Sequence, residues 1–150
     1  MTFTSKGSEE KCLRKADWEL DFYSRPIMES DGKKRWELLI SSTQDFSGEE
    51  TFRWEKKCLA NQVNSVWLSS ALDEALKEAH NKGWDYPKRL RCWRSSMKTM
   101  IKKAAEKVGL EVIESRRTFS LLEWFSERER DVYPREPGYI SVSYTHLRAH

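Results

Sequence analysis

The sequence predicts a mixed α/β fold: a five-stranded mixed sheet with elements in the order βββ-α-β-α-β-α. Three observations carry that prediction. Apolar residues alternate with polar ones in successive segments before residue 60; the apolar period then changes to that of a helix; and strand-like and helix-like segments alternate from there on. A meander followed by crossovers gives one mixed sheet with helices packed on it. This is also the order of ribonuclease-H-like domains.

In "DWELDFYSRP", Trp18, Leu20 and Phe22 point one way and Glu19, Asp21 and Tyr23 the other, the pattern of a half-buried strand. Asp31-Gly32 is a hairpin signal. In "KRWELLISS" Trp36, Leu38 and Ile40 share a face, and "TFRWEKKC" reads as the third strand. From Ser65 to Ala79 the residues Trp67, Leu68, Ala71, Leu72, Ala75, Leu76 and Ala79 fall at helical spacing, with Asn64 as N-cap. "KRLRCWR" is a short fourth strand. A second helix over 96–108 places Met97, Met100, Ile101, Ala104, Ala105 and Val108 on one stripe and stops at Gly109. "LEVIES" is the fifth strand, and "TFSLLEWFSERERDVYP" a third helix closed by Pro134.

Seven tryptophans and six phenylalanines among 150 residues supply a real core. Trp18, Trp36 and Trp67 lie on apolar faces and read as core residues. No apolar run approaches the roughly 20 residues of a membrane span. Cys12, Cys58 and Cys92 form no CxxC pair, and His80, His146 and His150 no metal-ligand spacing, so no cofactor or metal is expected and the thiols read as reduced. Residues 1–16 are polar, mixed in charge and without a signal-peptide apolar core, and are expected to be flexible.

The net charge is only +3, yet "PKRLRCWRSSMKTMIKK" (87–103) holds seven Lys or Arg and no carboxylate. On a strand Leu90 and Cys92 take one face, and Arg89, Arg91 and Trp93 the other. Guanidinium pairs phosphate bidentately and indole stacks on a base. Arg94 stands at the start of the second helix, where free N–H groups favour an anion. Lys98 and Lys102 lie off its apolar stripe. Arg116 and Arg117 join the same rim if the fourth and fifth strands are neighbours. The plain alternative is a solvated, lysine-rich helix face with ordinary Arg–Trp surface packing.

At this point whole words matter. "WELDFYSRP", "KKRWELLI", "NQVNSVWL" and the long run from "GWDYPKRLRCWRSSMKTMIKK" to "DVYPREPGY" resemble, in order and spacing, the Tab/Atab family of chloroplasts and cyanobacteria over Trp18 to Tyr139. The resemblance implies an RNA-binding protein, without catalytic turnover, that acts in translation of photosystem I reaction-centre messages and in photosystem biogenesis. The partner it implies is a single-stranded mRNA leader, with the translation machinery beside it. The location is the chloroplast stroma, or the cytoplasm if cyanobacterial. Family members are about twice this length, so residues 17–114 are expected to be the N-terminal RNA-binding-type domain. Residues 115–139 are then the first helix of a truncated C-terminal domain, the absent remainder being an intramolecular partner. Leu121, Leu122, Trp124 and Phe125 are expected to be partly exposed. Residues 140–150 do not resemble the family and read as a non-native tail.

Two other functions fit the element order. A metal-dependent nuclease would need converging carboxylates, for which Asp21 with Asp73 or Glu74 is a thin set; Asp21 is more simply a partner for Arg35 or another cation. A protein-interaction module would use exposed tryptophans and the third helix.

Overall fold

The structure, a computed structural model, describes residues 13–44 and 50–140. Its elements run β1 (Trp18–Met28), β2 (Lys34–Ser42), β3 (Arg53–Cys58), α1 (Ser65–Asn81), β4 (Arg89–Cys92), α2 (Lys98–Glu106), β5 (Glu111–Glu114) and α3 (Phe119–Asp131). The order matches the expected one. The sheet runs β3-β2-β1-β4-β5, antiparallel through the meander and parallel from β1 to β4 and β4 to β5.

The local signals act as the chemistry requires. Asn64 accepts the N–H of Trp67 at 2.7 Å and caps α1. Between β1 and β2, Gly32 takes φ +80°, and Asp31 Oδ1 accepts the N–H of Lys33 at 2.9 Å. Gly109 takes φ +77° after α2. The second helix begins with a 3-10 turn over Ser95–Met97, so its α-helical part is shorter than the apolar stripe indicates.

One face of the sheet is apolar. Trp18, Leu20, Phe22, Leu38, Ile40, Leu90 and Cys92 form a continuous core with Leu68, Leu72 and Leu76 of α1 and Ile101, Ala104 and Ala105 of α2. Phe22 stacks on Trp67 at 5.3 Å and Trp18 on Phe52 at 5.5 Å. Trp18 is fully buried, whereas Trp36 and Trp67 are half-buried against this core.

The other face is covered by α3. Of the four α3 side chains expected to be partly exposed, Leu121 and Trp124 are buried with Leu39, Phe125 is half-buried and Leu122 is exposed. The reason is that Leu38 and Leu39 are neighbours on β2 and point to opposite faces, so β2 is apolar on both. Two end segments are tied to this body. Within the segment expected to be flexible, Arg14 pairs with the chain at Trp84 and lays its guanidinium 3.9 Å from the indole; residues 1–12 lie outside the described residues. After α3, Met28 donates its N–H to Gly138 O at 2.8 Å, and a Cβ on Gly138 (φ +85°) would meet Met28 O at 2.2 Å. Of the expected non-native tail only Ile140 is described, its N–H on Pro26 O at 2.9 Å; residues 141–150 lie outside the described residues.

Candidate nucleic-acid interface

The basic segment forms β4, the turn after it and the first half of α2. Leu90 and Cys92 are buried in the core, whereas Arg89 is exposed, Arg91 half-buried and Trp93, just past the strand, 38% exposed. The indole is therefore not sealed inside the molecule.

The guanidiniums are not free, although the run 87–103 that holds them contains no carboxylate. Parallel pairing of β1 with β4 (Trp18↔Leu90, Glu19↔Arg91) brings Asp17 beside both arginines. Asp17 Oδ2 accepts from Arg89 Nη2 at 3.1 Å and from Arg91 Nη2 at 3.0 Å and Nε at 3.2 Å. One carboxylate thus serves two guanidiniums and leaves a net positive charge. Arg91 Nη1 also donates to Arg117 O at 3.3 Å, tying β4 to the loop after β5.

Arg94 is more committed still. Its Nε donates to Asp21 Oδ1 at 2.5 Å, and its guanidinium carbon lies 4.0 Å from the Tyr23 ring and 4.4 Å from the Trp93 ring. This is a strut between two aromatic rings, not an anion site at a helix start. Lys98 lies 3.5 Å from Glu114 in an exposed pair worth little. Lys102, Arg116 and Arg117 are exposed and, among the described residues, none of them has an ion-pair partner.

β4 and β5 are neighbours, with Cys92 opposite Glu114, so the segments leaving both strands lie side by side. Between them opens a cleft of about 780 Å³ whose walls include Trp93, Ser95, Glu114, Arg116, Thr118 and Leu122. Trp93 and Arg116, far apart in sequence, share this cleft. Glu114 and Thr118 carry no mark in the sequence, and nothing there joins Leu122 to Trp93; the parallel β4–β5 pairing brings them together.

The carboxylates proposed for metal chemistry do not converge. Asp21 faces α3, not α1: it pairs with Arg25 at 3.0 Å and Arg94 at 2.5 Å, while Arg35 pairs with Glu29 and Glu136. On α1 Asp73 pairs with Lys77 and Glu74 with Lys56. No group of three or more His, Cys, Asp or Glu among the described residues could hold a metal ion.

Behind the interface, the charged face of the sheet positions α3. Glu19 caps the helix by accepting the N–H of Leu121 at 2.8 Å. Burial raises its pKa above the ordinary carboxylate value, against the lowering effect of the Leu121 and Ser120 N–H groups and Arg91. Arg25 Nε donates to Glu37 Oε1 at 3.0 Å, Arg128 donates to Glu37 and, at 2.8 Å, to Glu55, and the Tyr133 hydroxyl donates to Glu37. Burial would lower the pKa of Arg25 and of Arg128, but their anionic neighbours outweigh it and both rise; burial also pushes the Tyr133 phenol up. These arginines stay charged.

With this geometry established, comparison with known proteins is informative. The family model described as "RNA-binding protein Tab2/Atab2 N terminal" matches residues 17–128. The chain belongs to this family. A Zea mays protein named "Protein TAB2 homolog, chloroplastic" is 40% identical over 123 residues, which are 82% of this chain and 30% of that protein. The Arabidopsis thaliana protein of the same name is 36% identical over 123 residues, 82% of this chain and 31% of its own length. The chain thus spans under a third of these Tab2 relatives, which are longer than the twofold expected. Among solved structures, a chain in a simian T-cell lymphotropic virus intasome bound to a PP2A regulatory subunit aligns with 84% of this chain and 45% of its own, at 14% identity and TM-score 0.46. A likeness that low carries no functional argument. The described region of this Tab2-family chain contains no helix long and apolar enough to cross a membrane.

Proposed function

We propose that this chain is an RNA-binding, non-catalytic module of a plastid translation factor, acting on a single-stranded leader of photosystem I reaction-centre messages. The observation that carries the reading is the ledge formed by β4, α2 and the β5–α3 loop. There Lys102, Arg116 and Arg117 have no carboxylate partner among the described residues, Arg89 and Arg91 share one, and Trp93 stands exposed. Family membership supports RNA as the polyanion. The Tab2 relatives, named chloroplastic, support the plastid. We place in the segment 115–139 the junction with a second domain that acts as an intramolecular partner.

Affinity on such a ledge is mostly electrostatic. With about four to six phosphates neutralised, log K falls with log salt at a slope of roughly −3 to −4 for a single strand. The test is titration of a single-stranded RNA at several salt concentrations. Replacing Lys102, Arg116 and Arg117 by Gln should flatten the slope by about 2, whereas Lys77→Gln and Lys82→Gln on α1 and just past its end should leave it unchanged. A salt-insensitive complex, or equal slopes for both sets, rejects the ledge.

A protein-docking reading is favoured by one observation: Phe119, at the first turn of α3, is 73% exposed, with Leu122 one turn further on. Phe119→Ser should weaken RNA binding little if that ring contacts protein.

A further inference from the structure

We infer that the bound RNA runs as one strand along β4 between two stacking platforms, Trp93 beyond its carboxyl end and Tyr86 before its amino end. Tyr86, with Lys88 and Lys15, is then a second site for an unpaired nucleotide. The inference rests on the RNA-binding reading above and adds to it a residue and a footprint. It carries no preference among bases, since every base has a π-face.

The loop between α1 and β4 builds the second platform. Tyr86 is 56% exposed, more than Trp93. Its main-chain N–H donates to Asp85 Oδ1 at 2.8 Å, and the His80 imidazole of α1 stands nearly perpendicular to the phenol ring with centres 6.1 Å apart. These contacts brace the ring without burying it. It borders a cleft of about 290 Å³ whose walls also include Lys15, Asp17, Asp85 and Lys88. Lys88 is exposed and has no ion-pair partner among the described residues, and Lys15 reaches Asp85 only at 4.0 Å. Lys77, another cation near the phenol, is taken by Asp73 at 3.0 Å.

Solvated lysines beside a loop tyrosine would explain this end alone. They do not explain its continuity with the ledge. Asp17 lies in the wall of the Tyr86 cleft and also holds Arg89 and Arg91. Arg91 donates to Arg117 O, and Arg116, next in the chain, shares the β4–β5 cleft with Trp93. Each step from one ring to the other is a contact or a shared cleft. The helix on this side, α3, packs across β2 and β1, and Arg89 on β4 stays exposed.

Charge and length agree with a strand laid along this line. Lys15, Lys88, Arg89, Arg91, Arg116 and Arg117 meet Asp17 and Asp85, while Glu114 is held by Lys98. Cations outnumber carboxylates, as a track for phosphates requires. Tyr86 and Trp93 are seven residues apart, about 23 Å of extended chain. A strand at the duplex spacing of about 3.4 Å per nucleotide joins them with about six nucleotides, and a more extended one with about four.

The experiment measures binding of labelled oligouridylates and oligoadenylates, from about two to about ten nucleotides long, to the whole chain at low and moderate salt. In both series wild-type affinity should climb steeply up to about six nucleotides and only slowly beyond. Tyr86→Ala should weaken the longest RNAs by roughly tenfold at an unchanged salt slope and leave the shortest within about twofold, because these stack on Trp93 alone. Tyr86→Phe should restore most of the loss. Replacing Lys15 and Lys88 by Gln should flatten the slope for the longest RNAs by about 1. Wild-type-like binding of the longest RNAs by Tyr86→Ala overturns the track and leaves the ledge intact. So does a loss equal at every length, or one that Tyr86→Phe does not repair. A wild-type chain that binds no length at low salt overturns both.

Discussion

The two faces of the central sheet are built on opposite principles. The face under α1 and α2 is a continuous apolar layer in which Trp18, Leu20, Phe22, Leu38 and Ile40 meet helix stripes of Leu and Ala. The face under α3 has a small apolar patch of Leu39, Leu121 and Trp124. Around it Asp21, Arg25, Glu37 and Arg128 are buried and bonded to one another. The first face is held by area removed from water and tolerates any shape-compatible apolar set. The second is held by matched charges, so its contribution depends on every partner being present. It is also the face whose edge reaches the ledge, because Asp17, just before β1, holds Arg89 and Arg91, and Asp21 of β1 holds Arg94.

The sharpest way to break this contrast is Glu37→Gln. It leaves Arg25 and Arg128 buried with too little negative charge, and should cost about 3–5 kcal/mol of stability in urea unfolding. Leu38→Ala, one residue along and on the other face, should cost about 2–5 kcal/mol through lost burial and the cavity left behind. If Glu37→Gln is mild, the second face is not held by charge. Replacing Arg25, Glu37 and Arg128 together by Met, Leu and Met should cost far less than Glu37→Gln alone, because Asp21 keeps Arg94 and the only carboxylate that loses its partner, Glu55, is exposed enough to be solvated; a loss larger than the single variant's would show that the network does more than balance itself.

A smaller effect separates fold from binding. Asp17→Asn should change stability by no more than about 1 kcal/mol, since its pairs lie at the partly exposed rim. It should steepen the salt dependence of RNA binding by releasing two guanidiniums. Unchanged binding would mean that Arg89 and Arg91 do not reach phosphate.

The smallest effect lies at alkaline pH, where burial raises the Cys58 and Cys92 thiols on the apolar side and the Tyr133 phenol on the charged side. Burial pushes the Cys58 thiol from 9.0 up to about 11. A folded pKa above the unfolded one gives stability that is complete below the unfolded value and lost as pH rises through the folded one. For Cys58 that window runs from about pH 9 to about pH 11. Cys58→Ala should flatten the alkaline decline in the unfolding midpoint there, and Tyr133→Phe should flatten it at higher pH. A decline identical in wild type and both variants would assign it to other groups.

Most of the apolar face was legible in the amino-acid order, because burial on one side imposes a period of two on strands and of about 3.6 on helices. Trp18, Leu20 and Phe22 and the stripe of α1 follow from that rule, and the stop at Gly109 from the freedom of glycine to take a positive φ. The charged face was not legible. Asp21 and Glu37 occupy the polar positions of their strands, and alternation assigns such positions to water; only α3 folding across them makes them interior. The ledge was half legible. A run of cations without acids marks β4 and α2, yet a local run says nothing of Asp17, which lies 72 residues from Arg89 and meets it through strand pairing.

By itself the sequence determined the element order, the apolar layer and the family, since these depend on local periodicity and on words that survive as contiguous residues. Tertiary structure alone decided which arginines keep their charge available, that Arg94 props an indole, and that Glu114 and Arg116 share a cleft with Trp93. Electrostatic and hydrogen-bonded neighbours act over a few ångströms of space, and in this sheet those ångströms join segments that the chain keeps tens of residues apart.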